Sequence, residues 1–216
     1  MNENTKKVII VGAGSVGKFI AYNPNQFTEK YDFIGFLDDD PNKKGQLIAG
    51  IPVLGTLELL PDFIKQNIAV VWGIAFPKIK ASLVEKVKHL DAEFPTLISE
   101  KAWISNEVAI GKGCIIYPGC SINYETVVGD FVVMNMNCAL GHNVTLGDFT
   151  SLAPGVNLGG YTKIGNQTDI GIGVATKQFI EIGNNCVVGG QAMVIKSFPS
   201  NSIIKGVPAI QSENKK

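Results

Sequence analysis

The stretch that decides the fold is residues 140–158, LGHNVTLGDFTSLAPGVNL. Every sixth residue in it is leucine: Leu140, Leu146, Leu152 and Leu158. The residue four places after each of the first three leucines is β-branched: Val144, Thr150 and Val156. Outward from this stretch the same period runs without a slip from Ile104 to Val194, where fifteen of sixteen positions hold an aliphatic residue or methionine.

A period of six matches neither the 3.6-residue α-helix nor the two-residue alternation of a strand. It predicts a triangular parallel β-coil in which each face takes one hexad and each turn about 18 residues, so that about five coils stack. The aliphatic residue of each hexad fills the interior. Glycine follows it at nine positions, and we expect these glycines where the chain turns a corner with backbone angles that other residues avoid.

Residues 1–98 have a different pattern, in which apolar strands alternate with helices. The predicted strands are Lys7–Val11, Asp32–Leu37 and Ile68–Gly73, with a loop through residues 50–55 and an amphipathic helix over Pro77–Leu90. Such alternation favours a parallel sheet with helices on its faces. We therefore predict two domains, an α/β domain over residues 1–98 and an all-β parallel coil with a C-terminal tail over residues 99–216.

Nineteen basic and nineteen acidic residues give a formal net charge of zero. This balance argues against nucleic acid and anionic membranes as partners. No apolar run approaches the ~20 residues of a membrane span and the first residues form no signal peptide, so we expect a cytoplasmic protein. No metal is expected either, because two histidines exclude a three-histidine site and the four cysteines have no CxxC spacing.

Five segments resemble those of one known family: GAGSVG at 12–17, FLDD at 36–39, GIPVLG at 50–55, LGHNVTLGD at 140–148 and GVPA at 206–209. Together with the hexads they make the chain similar to the hexapeptide-repeat acyltransferases, in the branch of the sialic acid O-acetyltransferases and bacillosamine N-acetyltransferases. The resemblance implies a Rossmann-like α/β domain followed by a left-handed parallel β-helix. It also implies a homotrimer, acetyl-CoA as the acyl donor and a role in polysaccharide biosynthesis.

His142 is the candidate catalytic residue, because its segment is similar to the family's catalytic one. It is the third residue of its hexad and is expected to point outward, where an imidazole, with an ordinary pKa of about 6.5, can take a proton from an amine or hydroxyl. Residues 18 apart are expected one strand spacing (~4.8 Å) from each other. Gly160 is therefore predicted one coil above His142, with its backbone N–H facing a developing oxyanion.

Asn143 departs from the family pattern, since relatives commonly have an acidic residue directly after the catalytic histidine to orient it. The 18-residue spacing places Glu125 one coil below Asn143. We expect Glu125 or a backbone carbonyl to orient the ring instead, the alternative being that Glu125 is merely solvated. Asn135 matches a family asparagine near the acceptor sugar.

The glycines of residues 12–17 meet the pattern GxGxxG between a strand and a helix, where backbone amides suit a pyrophosphate. Asp38 stands where a dinucleotide fold has its ribose-binding acid, so NAD is one alternative. The domain has room for only one mononucleotide-binding half, however. In the resembled family this loop holds a nucleotide-linked sugar, and the matching positions are Gly14, Ser15, Val16, Asp38, Asp39 and Gly73, with Val16 where relatives often have histidine.

In the resembled family acetyl-CoA lies in a groove between neighbouring β-helices, and the matching positions are Ser151, Ile172 and Gly190. We therefore expect an acetyl-CoA-dependent transferase that acetylates an amino or hydroxyl group of a nucleotide-linked or acidic sugar by direct attack on the thioester, with His142 as general base. Alternatives are an acyl carrier protein as donor, O-acetylation of a sialic acid, a catalytically inactive nucleotide-sugar-binding protein, and an NAD-dependent oxidoreductase.

Overall fold

The computed structural model describes residues 5–212, so the outermost parts of the two predicted domains, residues 1–4 and 213–216, lie outside the described residues. The residues group into two units. The first runs to Leu97 and the second begins at Ile98, except that Phe76–Lys78 groups with the second.

The first unit contains a five-stranded sheet. Its strands are β1 (Lys6–Val11), β2 (Tyr31–Leu37), β3 (Leu47–Ile48), β4 (Ile51–Gly55) and β5 (Ala69–Trp72), in the order β3-β4-β2-β1-β5. β1 pairs in parallel with β2 and with β5, and its residues Val8–Val11 are fully buried. The helices are α1 (Ser15–Tyr22), α2 (Leu60–Lys65) and α3 (Pro77–Val87), with 3-10 turns at Pro41–Lys43 and Leu57–Leu59. The predicted α/β class is confirmed.

Residues 51–55 form a strand where a loop through 50–55 was predicted, and only Gly50 lies in a turn. β3 and β4 make an antiparallel hairpin in which Ile48 pairs with Ile51. The two turn residues, Ala49 and Gly50, both have positive φ, of 51° and 82°, which is the geometry that matches the twist of two-residue hairpins. The turn residues interrupt the apolar pattern and so favour a loop, whereas β4 in fact joins β2 in parallel.

The second unit is a parallel coil of three faces built from two-residue strands. The first face holds Trp103–Ile104, Ser121–Ile122, Ala139–Leu140, Asn157–Leu158, Ala175–Thr176 and Met193–Val194. The second face holds Ala109–Ile110, Val127–Val128, Thr145–Leu146, Lys163–Ile164 and Glu181–Ile182. The third face holds Leu97–Ile98, Ile115–Ile116, Val133–Met134, Ser151–Leu152, Asp169–Ile170, Val187–Val188, Ile203–Lys205 and Ile210–Ser212.

Strands of one face pair with the strands one coil away. Ala139–Leu140, for example, pairs in parallel with Ser121–Ile122 and with Asn157–Leu158, each 18 residues distant. The last strand, Ile210–Ser212, is the exception and runs antiparallel to Ile203–Lys205. The predicted left-handed parallel β-helix is confirmed.

The glycines that follow the interior aliphatic residues have a different cause from the expected one. Left-handed backbone angles occur two residues later, at every sixth residue from Glu107 to Gln191, with φ between 55° and 76°, and most of these residues are not glycine. A Cβ at Gly141, in contrast, would lie 2.6 Å from the amide nitrogen of Gly160 in the next coil. Close stacking of the coils, and not the backbone angle, requires glycine there.

Candidate active site

His142 lies at the corner between the first and second faces, directly after the strand Ala139–Leu140, and is half-buried. Tyr124, one coil below, stacks on the imidazole with 5.3 Å between ring centroids and 9° between the ring planes. Tyr161, one coil above, meets the imidazole edge-on at 5.1 Å and 89°. The two aromatic rings therefore hold the plane of the imidazole in one orientation.

The Nδ1 atom of His142 is hydrogen-bonded within the protein. It lies 2.9 Å from Oδ1 of Asn143, and Nδ2–H of Asn143 donates to Oε2 of Glu125 over 2.6 Å. The stacking of the coils brings Glu125 beside Asn143, 18 residues away. Glu125 contacts the amide of Asn143, so its connection to the ring passes through that side chain.

Gly160 faces the other ring nitrogen. A Cβ at this position would lie 2.9 Å from Nε2 of His142, so a side chain here would meet the ring. The neighbouring Gly159 N–H donates to Oγ1 of Thr176 over 2.9 Å, whereas the N–H of Gly160 donates to no acceptor among residues 5–212. An open backbone donor and the unengaged Nε2 of His142 lie side by side as a result.

At the corner between the second and third faces, the equivalent backbone amides have hydrogen-bond acceptors. There the carboxylate or amide oxygen of one residue accepts the backbone N–H of the residue one coil below, in the pairs Lys112–Asp130, Asp130–Asp148, Asp148–Asn166 and Asn166–Asn184. At the histidine corner the residue one coil above Gly160 is Gln178, and its side chain accepts no hydrogen bond from the N–H of Gly160. Buried backbone amides are nearly always paired, so the open N–H of Gly160 favours a ligand at this corner.

The glycine-rich loop of the first unit is shaped by close backbone packing. A Cβ at Gly17 would lie 2.0 Å from the carbonyl oxygen of Gly12, and one at Gly73 would lie 2.7 Å from the Cα atom of Gly17. The side chain of Val16 is only 2 % exposed and belongs to the core. Gly14, the N-cap of α1, and Ser15, its first residue, are exposed and form the open part of the predicted nucleotide site.

Asp38 and Asp39, the first two of three acidic residues after β2, accept hydrogen bonds from backbone amides. Asp38 accepts from the N–H of Ala13 over 2.7 Å, from the N–H of Asp40 over 3.0 Å and from Nζ of Lys43 over 2.9 Å. Burial alone would raise the pKa of Asp38, but the hydrogen bonds from Lys43 and the two amides outweigh it and lower the pKa below its ordinary value. Asp39 accepts from the N–H of Leu57 over 2.9 Å. Both oxygens of Asp38 already have donors.

The first unit is similar to a known domain family. The PglD N-terminal domain family matches residues 7–87. A mutant of perosamine N-acetyltransferase from Caulobacter crescentus, solved with CoA and GDP-perosamine, shares the fold with a TM-score of 0.89 at 24 % identity, over 98 % of this chain and 99 % of that one.

Two further solved structures have the same fold. The acetyltransferase domain of PglB from Neisseria gonorrhoeae has a TM-score of 0.86 at 25 % identity, over 96 % of this chain and 100 % of that one. WeeI from Acinetobacter baumannii has a TM-score of 0.80 at 26 % identity, over 96 % of this chain and 100 % of that one. Over nearly its whole length the chain therefore has the fold of known acetyltransferases.

A shorter similarity connects this chain with the redox-sensing transcriptional repressor Rex of Thermosipho africanus, which is 36 % identical over 84 residues. The match covers 38 % of this chain and 40 % of the repressor, and the Rex protein of Caldicellulosiruptor bescii is matched over 28 % of its length. The chain therefore spans less than half the length of the curated relatives that it matches.

The other predicted site residues of the second unit lie away from His142. Asn135 follows the strand Val133–Met134, at the corner between the third and first faces, and its Oδ1 accepts from the N–H of Met136 over 2.8 Å. Ile172 and Gly190 lie one above the other at this same corner, and Ile172 is 58 % exposed. Ser151, on the third face, is buried at 5 % exposure.

Sequence reasoning missed two aromatic neighbours of His142. Tyr124 is 18 residues before His142, so the coil period that locates Gly160 also locates this tyrosine. Tyr161 sits at a left-handed position, with φ 60°, and its N–H donates to the carbonyl oxygen of His142 over 3.0 Å. The 18-residue spacing is thus enough to predict that Tyr124 lies beside His142. It does not predict the edge-on contact of Tyr161, which is 19 residues after His142.

Two other kinds of feature are absent from residues 5–212. No group of three or more His, Cys, Asp or Glu residues in this range is arranged to hold a metal ion. No helix in the range combines the length and the apolar character needed to cross a membrane.

Proposed function

We propose that this acyltransferase moves the acetyl group of acetyl-CoA to an amino or hydroxyl group of a nucleotide-linked sugar. One observation carries the proposal: Nε2 of His142 and the open N–H of Gly160 lie at the same corner. Direct attack on a thioester needs a base and an oxyanion donor within reach of one carbonyl group. The PglB domain solved with acetyl coenzyme A and the perosamine enzyme solved with CoA and GDP-perosamine support the choice of donor and acceptor.

The proposed reaction uses two nitrogen groups, Nε2 of His142 and the backbone N–H of Gly160. Nε2 of His142 takes a proton from the sugar amine or hydroxyl as that group attacks the thioester carbonyl carbon. The carbonyl oxygen becomes an oxyanion and accepts a hydrogen bond from the N–H of Gly160. When the tetrahedral intermediate collapses, the carbon–sulfur bond breaks, and the sulfur takes the proton that His142 returns, so that CoA leaves as the free thiol. No bond to the enzyme forms.

Each unit has its own role in the proposal. The exposed helix start at Gly14 and Ser15 binds the nucleotide phosphates, since a helix N-terminus favours anions. The corner with Ile172 and Gly190, together with Ser151, lines the acetyl-CoA groove between neighbouring copies of a homotrimer. The protein then works in the cytoplasm, where CoA thioesters and sugar nucleotides are available, and its product enters polysaccharide biosynthesis.

A thiol-release assay tests the function directly. The full chain is given acetyl-CoA and a panel of amino-sugar nucleotides, together with neutral sugar nucleotides and a free sialic acid. We expect release of CoA with at least one acceptor and a fall in kcat of about 10²–10⁴-fold in His142→Ala, the contribution of a general base. His89→Ala is the matched control, because His89 is exposed and follows α3 in the first unit.

Other results would point elsewhere. Tight sugar-nucleotide binding without turnover identifies an inactive binding protein, and full activity of His142→Ala overturns the mechanism. Saturable binding of NAD with no thiol release would favour the oxidoreductase alternative. Turnover only with acyl carrier protein thioesters would correct the donor.

A further inference from the structure

The hydrogen-bonding capacities of Glu125, Asn143 and His142 allow one arrangement. A carboxylate only accepts hydrogen bonds, so the atom of Asn143 that lies 2.6 Å from Glu125 must be the NH₂ group. The carbonyl oxygen of the same amide then faces Nδ1 of His142 at 2.9 Å, and a carbonyl oxygen can only accept. Nδ1 of the neutral ring therefore carries the proton and Nε2 carries the lone pair.

The backbone keeps the three side chains in place. Glu125 and Asn143 occupy equivalent left-handed positions in successive coils, with φ of 55° and 58°. The N–H of Asn143 donates to the carbonyl oxygen of Tyr124 over 3.0 Å, which ties this turn to the coil below. Tyr124 and Tyr161 fix the ring plane, so the choice between the two tautomers is left to the amide.

We propose that Glu125 is a positioning residue that sets the tautomer of His142 through the side chain of Asn143. The inference rests on the proposed role of His142 as general base, since only the tautomer with the lone pair on Nε2 accepts a proton beside Gly160. The amide keeps the carboxylate one side chain away from the imidazole. Asn143 thus fills the place of an acidic residue while leaving the negative charge on the neighbouring coil.

The tautomer is measurable without substrate. In ¹⁵N-labelled full chain, Nδ1 of neutral His142 is expected to give the shift of a protonated nitrogen and Nε2 that of an unprotonated one, with His89→Gln assigning the second histidine. Glu125→Ala frees the amide to rotate, and we expect a mixture of tautomers. Wild-type protein with the proton on Nε2, or an unchanged spectrum of Glu125→Ala, would overturn the proposal.

A designed exchange of groups tests the same chain of hydrogen bonds. Asn143→Asp places two carboxylates at hydrogen-bond distance, and their repulsion is expected to displace the introduced side chain from the ring. Adding Glu125→Gln restores the geometry, because the glutamine NH₂ donates to one oxygen of the introduced carboxylate and the other oxygen accepts from Nδ1. The double variant should therefore regain the wild-type tautomer that Asn143→Asp loses. If it does not, the proposed hydrogen bonds from Glu125 through Asn143 to His142 are wrong.

Kinetics supply the second readout. Glu125→Ala is expected to lower kcat about tenfold or more with little change in KM, because the wrong tautomer affects the chemical step. Glu107→Ala is the matched control, since Glu107 has the same left-handed backbone, with φ 57°, one coil farther from His142. If Glu107→Ala loses as much kcat as Glu125→Ala, the effect is structural and the proposal is wrong. If the wild-type chain releases no thiol, the proposed function is wrong. The tautomer measurements still test whether Glu125 sets the tautomer of His142 through Asn143.

Discussion

At the scale of single residues, Gly160 is the position where one added carbon atom would press against the imidazole of His142. Its Cβ would lie 2.9 Å from Nε2 of His142 and 3.0 Å from Cε1 of the same ring. The backbone of Gly160 has no positive φ, so alanine is tolerated by the chain itself. The demand for glycine therefore comes from the neighbouring imidazole.

The variant Gly160→Ala distinguishes an effect on catalysis from an effect on stability. We expect kcat to fall about 100-fold, because the methyl group displaces the ring from the oxyanion donor. The midpoint of thermal unfolding should stay within a few degrees of the wild-type value, since moving a half-buried ring costs little packing. Steady-state thiol release and thermal unfolding are measured on the same preparation. Unaltered kcat would show that Gly160 does not face the reacting group.

At the scale of elements, Asp38, directly after β2, holds the loop between β1 and α1 in place by hydrogen bonds. Asp38 joins Ala13 of that loop, Asp40 of its own turn and Lys43. Its side chain is 12 % exposed, so these bonds are partly shielded from water. A ribose-binding acid is one interpretation of the sequence, whereas the geometry gives Asp38 a structural task.

Asp38→Asn tests this task through the pH dependence of stability. The folded pKa of Asp38 lies below its unfolded value of about 3.9, so its stabilisation is complete above that pH and is lost as pH falls through the folded pKa. We expect the variant to lose about 1–3 kcal/mol of unfolding free energy at pH 7 and the difference to shrink below about pH 4.

Urea unfolding followed by Trp72 fluorescence measures this difference, with Trp103→Phe as the common background so that only the first unit reports. Asp32→Asn, at an exposed position of β2, is the control and should match the background. A loss that persists unchanged to pH 3 would mean that the carboxylate charge contributes nothing.

At the scale of the whole molecule, the two groups of β-helix residues lie at different corners of the coil. His142 and Gly160 are between the first and second faces, whereas Ile172 and Gly190 are between the third and first. One chain alone therefore offers the proposed base at one corner and the predicted acetyl-CoA residues at another. In the proposed homotrimer each complete site takes the two corners from neighbouring copies.

Mixed oligomers test this arrangement. His142→Ala and Ile172→Arg are each expected to be nearly inactive. When the two are co-expressed with different tags, each cyclic trimer that contains both variants should have about one site in three with an intact His142 and an intact Ile172 corner. Activity of the purified mixed oligomer is measured by thiol release. No recovery in the mixed oligomer would show that both corners must belong to one chain.

Much of the fold was predictable because it repeats. The six-residue period specifies interior positions over and over, so a single irregular residue such as Thr176 does not disturb the pattern. The same period places Glu125 and Gly160 next to the histidine segment. The hairpin of β3 and β4 was missed because two-residue turns with positive φ depend on pairing across the turn, which apolar patterns do not encode.

By itself the sequence determined the two-part architecture, because periodicity is a property of the chain order, and its resemblance to a known family made His142 the candidate base. Only the tertiary structure decided why glycine follows the interior residues, since that depends on the distance between coils. It also decided that Asn143 stands between Glu125 and His142. The direction of an amide group, and hence which ring nitrogen holds the proton, follows from contacts across coils and has no signature in the order of residues.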